Sequence, residues 1–327
     1  MTQKTVSLVL GSGGARGLTH IGIIDWLNQN GFRIDSISGS SMGALIGGIY
    51  AAGELETYAQ WVRALEKIDV LKLVDFSFRR SGLIKGEKVI ETLRELIGDR
   101  NIKDLPISFT AVATNIEDQR EVWLNKGSLF DAIRASIAIP TVFTPVEYRG
   151  KTLVDGGLVN PIPIAPTLRD KTDITIAVNL SAKADPSLDK PSTWDELKEN
   201  DKGYQNKFSD LVESLSAKAD RKFGKTLNIA EIEDGAGRYQ HKIHQFVDGL
   251  QQKLGLPDEE EMGIFEVVSG SIETMQNLIT RFQLAAYSPD VIIDIPINSC
   301  TFYEFYRAEE MIGLGREKAS EVLESMK

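Results

Sequence analysis

Ile37-Ser38-Gly39-Ser40-Ser41-Met42-Gly43-Ala44-Leu45 carries the densest signal in this chain. Gly39 to Gly43 form a G-x-S-x-G pentad with Ser41 at its centre. An apolar lead, Ile34 to Ser38, precedes it, and a helix-compatible run, Ala44 to Ala52, follows. Strand, tight turn and helix in that order are the setting of a nucleophile elbow, where a serine sits on a strained turn with its hydroxyl exposed at the edge of a sheet. Gly39 and Gly43 flank the serine because strand and helix come too close there for side chains. A helix that begins at the serine also turns its free N–H groups and positive dipole end towards any anion formed on a substrate. Taken alone, the pentad also fits a Gly/Ser turn without chemistry, so its surroundings matter.

Strand and helix patterns alternate on either side of the pentad. Val6 to Leu10 is a continuous apolar run that reads as a buried first strand. The loop Gly11-Ser12-Gly13-Gly14-Ala15-Arg16-Gly17 follows, then a helix from about Leu18 to Asn28 that ends before Gly31. Helices are expected over Glu54–Lys67, Lys85–Ile97 and Leu129–Ile137. Strands are expected at Ile107–Thr114, Arg120–Leu124, Thr152–Val154, Ile174–Asn179 and Val291–Ile295. This order predicts an α/β fold, a three-layer sandwich with a central, mostly parallel sheet and helices on both faces. Residues 1–327 read as a single domain with a helical insertion at about 181–262. That segment is more charged and poor in strand signals, and Phe208, Leu211, Val212 and Leu215 fall at helical spacing within it. A long helix from about Ile264 to Phe282 carries Ile264, Phe265, Val268, Ile272, Met275, Ile279 and Phe282 as a stripe, expected to pack onto the core, with partner or lipid contact as the alternative.

Composition narrows the function. Lys and Arg number 37 against 47 Asp and Glu, a formal net charge of −10. Nucleic-acid binding, which wants a basic face, is disfavoured, as is strong electrostatic docking on anionic membranes, which leaves room for a local patch. Cys300 is the only cysteine, so no intrachain disulfide or Cys-based metal site is expected, and a reducing, cytoplasmic setting fits. The first apolar run is too short for a signal-peptide core, and no segment approaches the roughly 20 apolar residues of a membrane span.

In order and setting, the loop at 11–17, the Ser41 pentad and Asp155-Gly156-Gly157 resemble the patatin-like phospholipases, in their bacterial cytoplasmic branch. The resemblance runs from Val6 to Asn179 and resumes from about Ser288 to the end, where Phe302 to Gly315 looks like the family's closing helix. Ala135-Ser136-Ile137-Ala138-Ile139-Pro140 and Asn160-Pro161-Ile162-Pro163 are similar to family framework. One departure is Ser12, which stands where the commonest form of the loop has another glycine. The resemblance implies a lipid acyl hydrolase that needs no metal or other cofactor and takes a phospholipid or lysophospholipid substrate. It implies a Ser-Asp dyad: Ser41 attacks the ester carbonyl, and Asp155 takes or orients its proton and then helps activate water. Peripheral contact with the inner membrane surface is compatible with it; the oligomeric state is not legible.

The residues themselves support a dyad. A Ser-Asp-His hydrolase needs a histidine, and only His20, His241 and His244 exist. His20 falls in the helix after the glycine loop and reads as a packed residue. His241 and His244 lie in the charged stretch Gln240 to Gln252, and read as a solvated helix face. The amides of Gly13 and Gly14, with that of Met42, are the candidate oxyanion hole, since glycine lets main-chain N–H groups point into a site at close range. Arg16 either holds its loop by hydrogen-bonding carbonyls, the favoured reading, or contacts a substrate phosphate. Gly17, Gly39, Gly43, Gly156 and Gly157 are supporting loop residues.

Two other classes compete. A dinucleotide-binding fold also places a glycine loop after its first strand. Here the spacing runs Gly11-x-Gly13-x-x-Arg16, and Asp35 lies at the start of the second strand rather than its end. A phosphate-binding P-loop fails because no Gly-Lys-Ser/Thr follows. A non-catalytic lipid- or partner-binding protein would not need Ser41, Asp155 and both loop glycines intact.

Overall fold

The computed structural model describes residues 3–65, 87–140, 142–188, 264–302 and 304–326. The chain divides into two units, Met1–Pro191 with Ser269–Lys327, and Ser192–Val268. The strand expected to stop at Asn179 continues to Ala182. Beyond residue 188, the expected helical insertion lies outside the described residues, and so do Phe208, Leu211, Val212, Leu215, His241 and His244.

The first unit is built on one eight-stranded sheet. Its strands are β1 (Lys4–Leu10), β2 (Phe32–Ser40), β3 (Ser108–Asn115), β4 (Arg120–Leu124), β5 (Val146–Tyr148), β6 (Lys151–Asp155), β7 (Ile174–Ala182) and β8 (Val291–Pro296). The order across the sheet is β5-β6-β3-β2-β1-β7-β8, with β4 also paired to β3. β3, β2, β1, β7 and β8 run parallel. β4 and β6 run antiparallel to β3, and β5 antiparallel to β6. The sheet is therefore mostly parallel, as its alternating pattern predicts, with an antiparallel corner that the pattern does not announce.

Helices α1 (Thr19–Gln29), α2 (Met42–Ala51), α3 (Leu55–Arg63), α4 (Glu87–Ile97) and α5 (Leu129–Ser136) fall close to their expected positions. α6 spans Ile264–Tyr287 and α7 Ala308–Leu323. The closing helix thus starts later than Phe302. Glu304 accepts the Thr301 N–H at 2.7 Å and its carbonyl accepts the Arg307 N–H at 2.9 Å, which winds Phe305–Arg307 into a 3-10 turn first. Among the described residues no helix is long and apolar enough to cross a membrane.

Alternation along the strands sorts the core. Val6, Leu8 and Leu10 of β1, Ile34 and Ile37 of β2, and Ile176 and Val178 of β7 join the main cluster with buried residues of α1, α2 and α7. On the opposite face Val9 and Ala177 meet Ile162, Ile164 and, from α6, Leu284. That second face is made of small or polar strand residues, which lets main chain approach closely.

α1 and α7 cross through glycine. A Cβ on Gly22 would stand 1.9 Å from the Ile312 carbonyl oxygen, and one on Gly315 2.0 Å from that of Thr19. The obstacle is backbone on both sides, so the helices would have to separate and lift Met311, Ile312 and Ala319 out of the core. Gly315→Ala is expected to cost about 1–3 kcal/mol, in the range of core overpacking. A chemical-denaturation midpoint equal to wild type would rule that crossing out.

Candidate active site

The register of three strands sets the site. β2 and β3 pair Ser40 with Val112, and β3 and β6 pair Ala113 with Asp155. Ser41 follows Ser40 and Asp155 ends β6, so the chain delivers both side chains to nearly the same level of the sheet. β6 achieves this only because it runs antiparallel and arrives from the opposite direction.

Ser41 is buried and has φ +53° and ψ −121°, in the left-handed region that non-glycine residues avoid. Several contacts hold it there. Its N–H donates to Ser136 Oγ at 2.9 Å, and that hydroxyl donates to the Val112 carbonyl at 2.6 Å. Its carbonyl accepts the N–H groups of Ala44 at 2.9 Å and Leu45 at 3.1 Å, the first bonds of α2. Side chains at the flanking pentad positions would collide with main chain: a Cβ on Gly39 lies 2.4 Å from Gly43, and one on Gly43 lies 2.0 Å from the Leu10 carbonyl oxygen.

Asp155 is 3% exposed. Its N–H donates to the Ala138 carbonyl at 2.9 Å, its own carbonyl accepts the Thr114 hydroxyl at 2.8 Å, and its Oδ1 accepts the Gly157 N–H at 2.7 Å. Burial pushes the carboxyl from its ordinary 3.8 up to about 7, while the Ser41 hydroxyl and the Gly157 N–H pull the other way. Oδ2 is buried without a formed hydrogen bond. The Ser41 hydroxyl is thus near enough to influence the carboxyl while Oδ2 remains an open acceptor. Gly156 packs the aspartate turn against the sheet, since a Cβ there would lie 2.0 Å from the Val112 carbonyl oxygen.

The glycine loop is pinned at both ends. Gly11 N–H donates to Val178 at 3.2 Å, Ser12 N–H to Pro161 at 2.8 Å and Ala15 N–H to Phe302 at 3.0 Å. Between them, and among the described residues, the N–H groups of Gly13 and Gly14 donate to no main-chain carbonyl. Gly17 sets the loop against α2: a Cβ there would lie 2.5 Å from Met42 Cβ. Arg16 is buried, donating from Nη1 to the Ile297 carbonyl at 2.8 Å and from Nη2 to Glu273 at 2.6 Å. Both contacts tie the loop to distant parts of the chain. His20 is fully buried, with Nε2 3.0 Å from the Gly11 carbonyl, and burial lowers its pKa to about 4 despite that bond. It stays neutral near pH 7 and its Nε2–H faces a carbonyl.

Two residues escaped the sequence reading. Ser136 sits inside an Ala-Ser-Ile-Ala-Ile-Pro framework, where nothing marks its hydroxyl as the support for Ser41. Gln276 of α6 comes from a segment outside every motif, yet its Nε2 lies 2.9 Å from where a Cβ on Gly157 would stand. Asp155 Oδ1 is 2.9 Å and Ser12 Oγ 2.5 Å from that same point. Among the described residues no group of three or more His, Cys, Asp and Glu side chains could hold a metal. The acid that a dinucleotide site would want is engaged elsewhere, since Asp35 pairs with Arg33 at 2.8 Å.

A serine on a strained strand-to-helix turn, beside a buried carboxyl and a pinned glycine loop, is the arrangement of an α/β acyl hydrolase. Residues 8–168 match the Patatin family model, described as patatin-like phospholipase. An NTE family protein of Mycobacterium tuberculosis is 39% identical over 336 aligned residues, which cover 99% of this chain and 92% of that protein. The patatin-like phospholipase domain-containing protein ZK370.4 of Caenorhabditis elegans is 33% identical over 170 residues, 50% of this chain and 12% of its own. Lysophospholipase NTE1 of Saccharomyces cerevisiae is 28% identical over 193 residues, 57% of this chain and 11% of its own. The chain belongs to the patatin-like phospholipase family, with NTE family proteins as relatives along nearly its whole length, and is a lipid acyl hydrolase.

Ser136→Ala removes the hydroxyl that accepts the Ser41 N–H. The expected cost is about 1–3 kcal/mol of stability, the penalty for a buried donor left unsatisfied. A fall in kcat with little change in KM should accompany it. Unchanged melting and unchanged kcat would show that the elbow holds without this bond.

Proposed function

We propose that the protein hydrolyses acyl esters of phospholipids or lysophospholipids through a Ser41–Asp155 dyad and an acyl-enzyme. The observation that carries this reading is the state of Asp155. Its Oδ1 is occupied by the Gly157 N–H, its Oδ2 is open, and its pKa of about 7 suits an acid–base group working near neutrality. The two lysophospholipase and phospholipase relatives named above support the substrate class.

In the first half-reaction Ser41 Oγ adds to the ester carbonyl carbon and its proton passes to Asp155. The oxyanion is held by N–H groups of Gly13, Gly14 and Met42, in the loop and at the first position of α2. Collapse breaks the bond to the glycerol oxygen, which leaves with the proton from Asp155. In the second half-reaction Asp155 takes a proton from water, the hydroxide adds to the acyl-enzyme, and the fatty acid departs as Ser41 regains its proton. Arg16 keeps the loop in place through Ile297 and Glu273 and touches no phosphate in this scheme. Residues 1–327 act as one patatin-like catalytic domain carrying an insertion. The enzyme works from the cytoplasmic side on lipid held at a membrane surface.

Ser41→Ala should abolish turnover of a short p-nitrophenyl ester while leaving the fold intact; undiminished turnover refutes the assignment. The carboxylate form of Asp155 is the active base, so kcat/KM should rise with pH with a midpoint near 7. A profile flat from pH 5 to 8 would exclude Asp155 as that base.

Asp155 also makes a stability prediction of unusual sign. Its pKa is raised in the folded state, so folding favours the protonated acid. That contribution is complete below the unfolded value and is lost as pH rises to about 7. Asp155→Asn should therefore be inactive yet melt higher than wild type, by a margin larger at pH 8 than at pH 5. A margin independent of pH would mean that the carboxyl titrates normally.

A further inference from the structure

We infer that the outward ridge of α6, formed by Met275, Leu278 and Phe282, is the surface by which the enzyme docks on a phospholipid bilayer. The inference rests on the reading of Ser41 as acting on membrane lipid. α6 is inverted relative to an ordinary amphipathic helix. Met275 is 51%, Leu278 50% and Phe282 68% exposed, contrary to the expectation that the stripe containing Met275 and Phe282 packs on the core. These three residues share one face at helical spacing, with Ala285 continuing the line.

The opposite face turns most of the helix's polar side chains inward, beside Leu284. Glu273 binds Arg16, Gln276 lies against Gly157, Thr280 is 4% exposed, and Asn277 Oδ1 and Gln283 Oε1 are buried. The same helix therefore touches both loops of the catalytic centre with one face and exposes three large apolar side chains with the other. A helix that spends its polar face on the protein interior gains nothing from water on its apolar face; a lipid surface supplies the missing partner.

Charge along the helix points to phospholipid as the occupant. From Thr274 to Tyr287 there is no acidic residue and one cation, Arg281, within a protein of net charge −10. Arg281 is exposed and, three residues after Leu278 and four before Ala285, flanks the ridge, where a long cationic side chain can reach headgroup phosphate while the ridge enters the acyl boundary. An acid-free stretch next to the catalytic centre lets this acidic protein approach a phospholipid surface there without repulsion.

The test uses the full chain with vesicles of phosphatidylcholine and phosphatidylglycerol. The triple variant Met275→Ser, Leu278→Ser, Phe282→Ser should lose about tenfold or more in vesicle partition measured by co-sedimentation. It should also lose hydrolysis of vesicle phospholipid, while turnover of a monomeric short-chain ester is retained. Partition equal to wild type overturns the inference. So does a variant whose only change is from dimer to monomer, which would make a second copy the occupant, or a lower melting temperature with unchanged partition, which would make another part of this chain the occupant. Should the triple variant not fold, Phe282→Trp decides: brominated phosphatidylcholine should quench it beyond the wild-type background, and equal quenching overturns the proposal. Failure of wild type to hydrolyse the monomeric ester would instead sink the catalytic reading, so the two failures are separable.

Discussion

The backbone of Ser41 is held where a residue with a side chain does not rest, and the neighbouring structure is arranged around that fact. The Val112 carbonyl is the hub. It accepts the Ser136 hydroxyl that supports the Ser41 N–H, and it lies against Gly156 of the aspartate turn. β3 also pairs with the strand that leads to Ser41 and with the strand that ends in Asp155. A strained conformation of this kind persists only where surrounding contacts over-determine it. The pentad glycines are part of the same constraint, since they let α2 begin directly at the serine against Leu10.

A second cost is the carboxyl of Asp155, buried with only one of its oxygens hydrogen-bonded. Such a group opposes folding whenever it is charged, by amounts that are large on the scale of net stability. It is tolerated because the main cluster beneath it is extensive, running from β1 through α1, α2 and α7. The same burial that makes the group expensive tunes its proton affinity towards neutrality. On the proposed mechanism stability and chemistry are thus opposed at one residue, while the main cluster supplies the surplus.

Much of this was legible in the chain. The strand order from Val6 onward, the mostly parallel sheet, and the family follow from local patterns with short-range causes: β-branched runs, glycines at turns and a serine between them. The family resemblance pointed to Asp155 and the shortage of histidines agreed with it, and His20 proves to be a buried neutral ring bonded to Gly11. Other features left no local trace. β5 was missed because three residues of alternating exposure carry too little pattern, and the antiparallel turn of β6 depends on which strand it meets. Helical spacing alone favours a core-facing stripe on α6 over partner or lipid contact, yet Met275 and Phe282 point outward while Gln276 and Glu273 have partners inside.

What belongs to the linear chain, then, is the identity of the chemical groups and the short-range geometry around them. The elbow at Ser41, the glycine loop and the acid–glycine–glycine turn are each written in a handful of consecutive residues, because steric limits on the backbone act over that range. What belongs to the folded molecule is their meeting. Ser136 becomes the support of Ser41 across 95 residues, Arg16 meets Glu273 across 257, and the carboxyl gains its raised proton affinity only when α5, β3 and β6 exclude water from it. Register, burial and the facing of α6 arise from which surfaces come together, and no single stretch of the chain holds that information.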